Sequence, residues 1–293
     1  MLSYASTSAA FNGALLSRIS ERKCNVSTAM IFKKSPIRFA KQVLINHHEA
    51  IRWLIPDHYF AFPGIGGRIY LNIKESSMML ARAFGLYELR KVKAVQSLLR
   101  SGDTFIDVGG NKGDFALLAA KITGDSGQVV CVEPEPTNCK WIRQSIQLNQ
   151  YQNIDLWNVA LSDHDSEALL YLGTKSGFHT LLSGQPERNQ GCLKVTTRTL
   201  DALLKERKTS SVQMIKIDVE GAELQVLRGS VEVIKNNPDI VLLLDIHPFL
   251  GVDPIEVFDF LRSLGLTVCQ MRPPYNVPAT PHQGIDDVVA RRL

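Results

Sequence analysis

Three stretches of the 293-residue chain concentrate side chains able to bind or transform a ligand. "FIDVGGNKGDF" runs an apolar segment into Asp107 and then into a loop with Gly109, Gly110 and Gly113. Glycines let a backbone turn sharply and approach a ligand closely, and the start of a helix presents unpaired N–H groups, so this reads as a nucleotide-type site. A dinucleotide fingerprint would need glycine at 111 and 114, where Asn111 and Asp114 stand, or at 112 and 115, where Lys112 and Phe115 stand. The spacing therefore disfavours a nicotinamide dinucleotide. "VVCVEPEP" ends in Glu133, roughly 20 residues past the glycine loop, where an acid can accept both ribose hydroxyls of a nucleoside. The competing role for Glu133 is that of an acid favoured by a helix dipole, and Pro134 then directs the chain away from the strand.

The third stretch, "MIKIDVEGAELQVLRG", looks buried yet carries Lys216, Asp218 and Glu220. Strand alternation puts Met214, Lys216 and Asp218 on one side and Ile215, Ile217 and Val219 on the other, so one face can pack while the other reaches a rim. In a parallel sheet Asp107, Glu133, Asp218 and His247 of "LLLDIHP" gather at the same carboxyl edge. A buried charge without a partner costs several kcal/mol. These groups are either paired, for example Lys216 with Asp218 or with Asp245, or they face a polar cleft.

The elements that position them follow from periodicity. "ELRKVKAVQSLLR" places Val92, Val95, Leu98 and Leu99 on one helical face. "TFIDVG", "GQVVCVEP", "NIDLWNVAL", "VQMIKIDV" and "DIVLLLDIH" read as strands. "KGDFALLAAKI", "TNCKWIRQSIQLNQ", "LDALLKER", "ELQVLRGSVEVIKN" and "PIEVFDFLRSLG" read as helices between or after them, which implies an α/β fold with a parallel sheet covered on both faces. From Ser162 to Arg198 the rhythm breaks into two strands, "EALLYLG" and "CLKVTTR", around a polar loop with Gly173, Gly177 and Gly184; the insertion lies over a site or is a solvent-facing hairpin. "LTVCQM" and "DDVVARR" close the chain as a hairpin at the sheet edge. Before residue 85, "IPDHYFAFPGIGGRIYLNI" predicts short strands around a Gly64 to Gly67 turn. The expected division is an extension and cap over 1–84 and a main domain over 85–293.

Composition fits a soluble globular chain, with 45% hydrophobic and 21% charged residues, and excludes disordered and membrane classes. No apolar run approaches the roughly 20 residues of a membrane span, and no secretion signal is apparent, so a cytoplasmic location is expected. Five scattered cysteines without a C-x-x-C pair argue for reduced thiols and against a zinc site. Much of the net charge of +4 lies in the first fifty residues, where Arg18, Arg22, Lys23, Lys33, Lys34, Arg38 and Lys41 face only Glu21 and Glu49. That leader is a transit peptide, an arm for an acidic partner or a solvated extension; no nucleic-acid footprint spreads over the domain.

Taken together, "FGLYE", "TFIDVGGNKGDFALLAA", "VVCVEPEPTNCKWIRQSIQLN", "NVALSD", "TLDALL", "MIKIDVEGAELQVLRG" and "DIHP" resemble, in order and spacing, the FkbM family of S-adenosylmethionine-dependent methyltransferases. The resemblance runs from about Gly85 to His247. It implies a class I methyltransferase fold, Rossmann-like, with a seven-stranded sheet parallel except for its last strand and helices on both faces. It further implies that Asp107, Gly109, Asn111 and Gly113 line the methionine side of the cofactor, that Glu133 and Pro134 hold the ribose end, and that Val159 and Ala160 lie near adenine. Three positions depart from the family's usual residues: Gly110 stands for Ala, Lys112 for a small or apolar residue, and Asp245 for Glu. Gly110 is a conservative change in a tight turn, and Lys112 is expected to point to solvent.

Methyl transfer from a sulfonium is an in-line displacement that rests on proximity, and a hydroxyl acceptor gains further from a base. By intrinsic pKa His247 is the foremost candidate, with Asp218 acting directly or orienting it. Glu220 is a third candidate or a cap for a helix beginning at Gly221, and Lys216 pairs with the acids or neutralises an acidic substrate. An Asp, Glu and His cluster can also hold a divalent metal, but without a known spacing no metal is assigned. The expected activity is O-methylation of a sugar, glycan or other polar small molecule; N-methylation and a silent cofactor-binding module are the alternatives.

Overall fold

The computed structural model describes residues 36–173, 179–183, 191–209, 211–282 and 284–293, with side chains from residue 40 onward. Two compact units are present, 1–53 and 54–293. In the first, α1 (Pro36–Asn46) and α2 (His48–Ile51) are the described helices. Most of the basic leader, Cys24, Gly177 and Gly184 lie outside the described residues.

The second unit is built on a seven-stranded sheet ordered β11-β12-β10-β9-β3-β4-β5. Its strands are β3 (Thr104–Val108), β4 (Gln128–Val132), β5 (Ile154–Trp157), β9 (Met214–Ile217), β10 (Val241–Asp245), β11 (Thr267–Gln270) and β12 (Asp287–Arg291). All neighbours pair parallel except β12, which runs antiparallel to both β10 and β11. The closing hairpin is therefore real, but the final strand inserts between β10 and β11 and leaves β11 at the edge.

Side-chain alternation divides the core in two. Ile106, Val130, Ile215, Ile217, Leu242 and Leu244 project to one face. There they meet α7 (Leu200–Arg207), α8 (Glu223–Arg228) and α10 (Pro254–Ser263) through Leu203, Leu204, Val226, Leu227, Phe258 and Leu261. Phe105, Val129, Cys131, Met214, Leu243 and Val289 project to the other. They pack beneath α4 (Leu89–Leu98), α5 (Asp114–Thr123) and α6 (Pro136–Asn149) through Val92, Val95, Phe115, Ala119 and Ile142. Both faces are dry, which is why these strands read as almost continuous apolar runs.

The run "ELQVLRGSVEVIKN" forms two helices, not one: α8 stops at Arg228 and α9 spans Val231–Asn236. The break is held from a distance. Asp201 of α7 accepts hydrogen bonds from the Glu232 and Val233 amides at 3.0 and 2.9 Å, capping α9. The Asp201 amide in turn donates to the Gly229 carbonyl.

The insertion forms a separate three-stranded sheet ordered β6-β8-β7, from β6 (Ala160–Leu161), β7 (Ser166–Tyr171) and β8 (Cys192–Arg198). N-terminal to the main sheet, β1 (Phe60–Gly64) and β2 (Gly67–Leu71) make the predicted hairpin, followed by α3 (Ser77–Ala83), whose cap Ser76 accepts from the Met79 amide. Ile69, Leu71, Met79 and Ala83 pack on Leu117 of α5. Asn149 of α6 bonds the Arg68 amide and carbonyl, and Ser145 accepts from the Tyr70 amide. Residues 60–83 are thereby fastened to the helices that follow the glycine loop.

Candidate cofactor and acceptor cleft

The cleft opens where the sheet's connections diverge, above the carboxyl ends of β3, β4, β9 and β10. Gly109 has a φ of +78°, and a Cβ there would sit 1.9 Å from the Asp218 carbonyl oxygen, so the loops after β3 and β9 touch only because position 109 lacks a side chain. Gly110 is pressed from below: a Cβ would lie 2.4 Å from Cys131 Sγ. Glycine at this position therefore leaves room for the Cys131 thiol as well as meeting the needs of the turn.

Of the residues expected to hold a cofactor, Gly109, Asn111, Glu133, Pro134, Val159 and Ala160 line the cleft. Asp107 and Gly113 do not. Asp107 is 1% exposed and accepts from the Ala116 amide at 3.1 Å, tying α5 to β3, while Gly113 packs against Ile142 at the α5 cap position. Asn111 adopts a left-handed backbone, φ +52°, which turns its amide toward Glu133.

Glu133 is buried and held from three directions. Its carboxylate accepts from the Asn111 amide at 2.7 Å, the Glu135 amide at 2.9 Å and Asn138 Nδ2 at 3.2 Å. Helix capping falls to Glu135, which accepts from the Thr137 and Asn138 amides, so Glu133 is spared that duty. Burial outweighs these hydrogen bonds and raises the Glu133 carboxyl to about 7.

Lys112 does not point to solvent. It is 1% exposed, donates to Asn138 Oδ1 at 3.0 Å and Tyr59 Oη at 3.3 Å, and pairs with Glu75 at 3.4 Å. Tyr59, stacked on Trp141 and donating to Glu75, closes over it, and burial lowers the pKa of the Lys112 ammonium. The segment before residue 85 therefore reaches the cofactor side through Glu75, Lys112, Asn138 and Glu133 in sequence.

On the opposite wall stand Asp218, Glu220, His247 and Asp245, all lining the cleft. Lys216 does not line it. Buried beneath, its ammonium lies 3.4 Å from both Asp107 and Asp218 Oδ2 and over the Phe115 ring. Asp245 pairs with Lys91 instead, which also meets Glu88 at 3.0 Å. Both readings of the opening puzzle hold: the acids are paired from below and still face a cleft from above. Burial on its own raises Asp218, but Lys216, then Lys91 and His247, hold it well below the usual carboxylate range. Neighbouring Asp245 is pushed up, by burial and by the Asp218 charge.

Glu220 does not cap the following helix, whose N-cap is Ala222 with no side-chain bond. Its left-handed backbone, φ +54°, and the Thr180 hydroxyl donating to its carbonyl at 2.6 Å set its carboxylate 3.7 Å from His247 Nε2. His247 Nδ1 and Glu223 Oε1 are 2.6 Å apart, and Glu223 is fully buried. Burial lowers the imidazole, but the Glu223 bond and charge, with Glu220 and Asp218, push it up to about 9. The expectation of His247 as a base meets this obstacle: at neutral pH the ring is charged and has no vacant site for a proton.

The sequence reading missed Glu223, which looks like an ordinary first-turn helix acid. It also missed Met78 and Arg82 from the segment before residue 85, Tyr87 and Glu88 just after it, and Leu170, His179, Thr180 and Leu181 of the insertion, all lining the cleft. The insertion therefore does cover the site. Arg82 pairs with buried Asp114 and lies 3.9 Å over the Tyr87 ring.

Strand order, the single antiparallel strand and the glycine-loop cleft define a class I methyltransferase fold. The pattern described as "Methyltransferase FkbM domain" matches residues 107–267, and the chain belongs to this family. S-adenosylmethionine is the cofactor of such an enzyme. A curated relative, "2-O-methyltransferase NoeI" from Sinorhizobium fredii, is 29% identical over 161 residues, which is 50% of this chain and 65% of the relative. The chain thus spans less than two thirds of that protein's length. Among solved structures, methyltransferase FkbM from Methylobacillus flagellatus is 14% identical with a TM-score of 0.42, covering 90% of this chain and 60% of that one. Fibrillarin from Aeropyrum pernix with bound S-adenosyl-L-methionine is 13% identical with a TM-score of 0.40, covering 68% and 73%. Likenesses this distant bear on no residue of the site.

Proposed function

We propose that the protein transfers the methyl group of S-adenosylmethionine to a hydroxyl of a sugar, glycan or other polar small molecule. The observation that carries this reading is the opposition, across one cleft, of a nucleoside-type wall and an acidic wall. Asn111, Glu133, Pro134, Val159 and Ala160 form the first; Asp218, Glu220 and His247 form the second. Asn111 and Glu133 would hold the ribose, with the loop from Gly109 close to the methionine portion. Glu133 Oε2 takes one described hydrogen bond, leaving a lone pair for a hydroxyl. The acidic wall suits a cationic sulfonium as well as a hydroxylated acceptor, whose O–H groups need acceptors to orient them. Support for oxygen as the methylated atom comes from the relative whose name is that of a 2-O-methyltransferase.

Alignment of the hydroxyl with the methyl carbon supplies most of the rate. Asp218 and Glu220 orient that hydroxyl. A methyl-transfer assay with labelled S-adenosylmethionine against oligosaccharide and amine acceptors tests this. Label on a hydroxyl, reduced about 100-fold or more in Asp218→Asn, is expected. Label found only on amines overturns the acceptor assignment.

A further inference from the structure

The acidic wall has a feature that orienting an acceptor does not require. His247 is 9% exposed, its Nδ1 is fixed by Glu223, and its Nε2 forms no hydrogen bond among the described residues. That nitrogen points between two carboxylate oxygens, Asp218 Oδ1 at 3.8 Å and Glu220 Oε1 at 3.7 Å. We infer that Asp218, Glu220 and His247 form a binding site for one divalent cation, with Glu223 as the positioning residue behind the imidazole.

Ligands 2.0–2.2 Å from an ion lie roughly 3–4 Å from one another, and the three atoms here all fall within 4.8 Å. Metal-bound imidazoles almost always engage their other nitrogen with a carboxylate or carbonyl, which fixes the ring and makes it a better donor. Glu223, fully buried and 2.6 Å from Nδ1, stands in that position. Asp218 Oδ2 faces Lys216 and Oδ1 faces the imidazole, so an ion held by Oδ1 would leave the Lys216 pair in place. The left-handed backbone of Glu220 holds its side chain in the site at some conformational cost, as is common where function fixes geometry. Three carboxylates surround one imidazole, and an ion bound at Nε2 would take the place of the proton that this environment otherwise keeps on that nitrogen.

A second acidic group, Glu88, Asp218 and Asp245, has comparable spacing. There Lys91 pairs with both Glu88 and Asp245, and no imidazole nitrogen contributes a ligand. Two carboxylates and an imidazole suit Mg²⁺, Mn²⁺ or a later first-row ion. Three protein ligands leave positions of an octahedron open toward the cleft. Under the proposed methyl transfer, two neighbouring acceptor oxygens would fill them. A hydroxyl held there would lose its proton to water more readily, and its oxygen would bond the methyl carbon as the carbon–sulfur bond breaks with its electron pair going to sulfur. Only this acceptor role rests on the proposed function; the ion site does not.

Mn²⁺ is the probe. Titration of the full, chelator-treated chain, followed by loss of the free-ion paramagnetic signal and without S-adenosylmethionine, should show one saturable site. His247→Gln and Glu220→Gln should each weaken it at least tenfold, and Glu223→Gln by about 10- to 100-fold. Thermal unfolding of each variant identifies any loss due to misfolding, and at least one well-folded variant must show the drop. No saturable binding overturns the site. So does binding that survives His247→Gln and Glu220→Gln but is lost in Asp245→Asn and Glu88→Gln. Because the cofactor is absent, these outcomes are independent of whether the chain transfers methyl groups.

Discussion

Glu133 links the cleft to pH. Burial raises its carboxyl from 4.5 to about 7, so the folded chain retains a proton that the unfolded chain has already lost. Stability of the ligand-free chain therefore falls as pH rises from 4.5 to 7, since the unfolded state binds fewer protons across that window. Under the proposed ribose role the ionised form binds the cofactor, so affinity moves the other way. Calorimetry should show affinity for S-adenosylmethionine dropping by up to about tenfold per pH unit below 7, with the slope absent in Glu133→Gln. Lys216 is the cation shared by two buried carboxylates. Lys216→Met leaves Asp107 and Asp218 without their shared cation and should cost about 3–5 kcal/mol in urea unfolding. At this scale the sequence was legible where spacing carries meaning. The glycine loop and Glu133 were found because strand ends in a parallel sheet converge. Glu223 was not, because its importance comes from His247, 24 positions away and on another strand's end.

Among the elements, the loop after β3 and the helix pair α8 and α9 show how close contact decides what a turn tolerates. Gly110→Ala would drive a methyl into Cys131 Sγ. It should destabilise by about 1–3 kcal/mol as an overpacked core position, and Cys131→Ala in the same chain should restore much of the loss, a coupling that a double-mutant cycle measures. Asp201→Ala should remove the cap of α9 and lower stability by about 1 kcal/mol, read as a fall in Tm. Periodicity alone joined α8 to α9 because it sees apolar spacing and not a carboxylate arriving from α7. Alternation in "LTVCQM" and "DDVVARR" did announce the hairpin at the sheet edge, but not which of its strands is outermost: β12 lies between β10 and β11.

At the scale of the whole molecule, the strand ends of the sheet supply the two walls of the cleft, and the segments before β3 and between β6 and β8 complete its lining. The segment before residue 85 contributes Met78 and Arg82, the start of the stretch after it contributes Tyr87 and Glu88, and the insertion contributes Leu170, His179, Thr180 and Leu181. Lys112 illustrates why those additions were hard to read. Its burial depends on Tyr59 and Glu75, which belong to the segment before the resemblance begins. No helix among the described residues is long and apolar enough to cross a membrane. The proposed methyl transfer depends on one claim, namely that this cleft holds S-adenosylmethionine on Glu133. Isothermal titration of the full chain with S-adenosylmethionine at pH 8 measures it. One molecule bound per chain, weakened at least tenfold by Glu133→Ala in a variant that still unfolds cooperatively, is the predicted result. No binding, or the same affinity in both proteins, would contradict it.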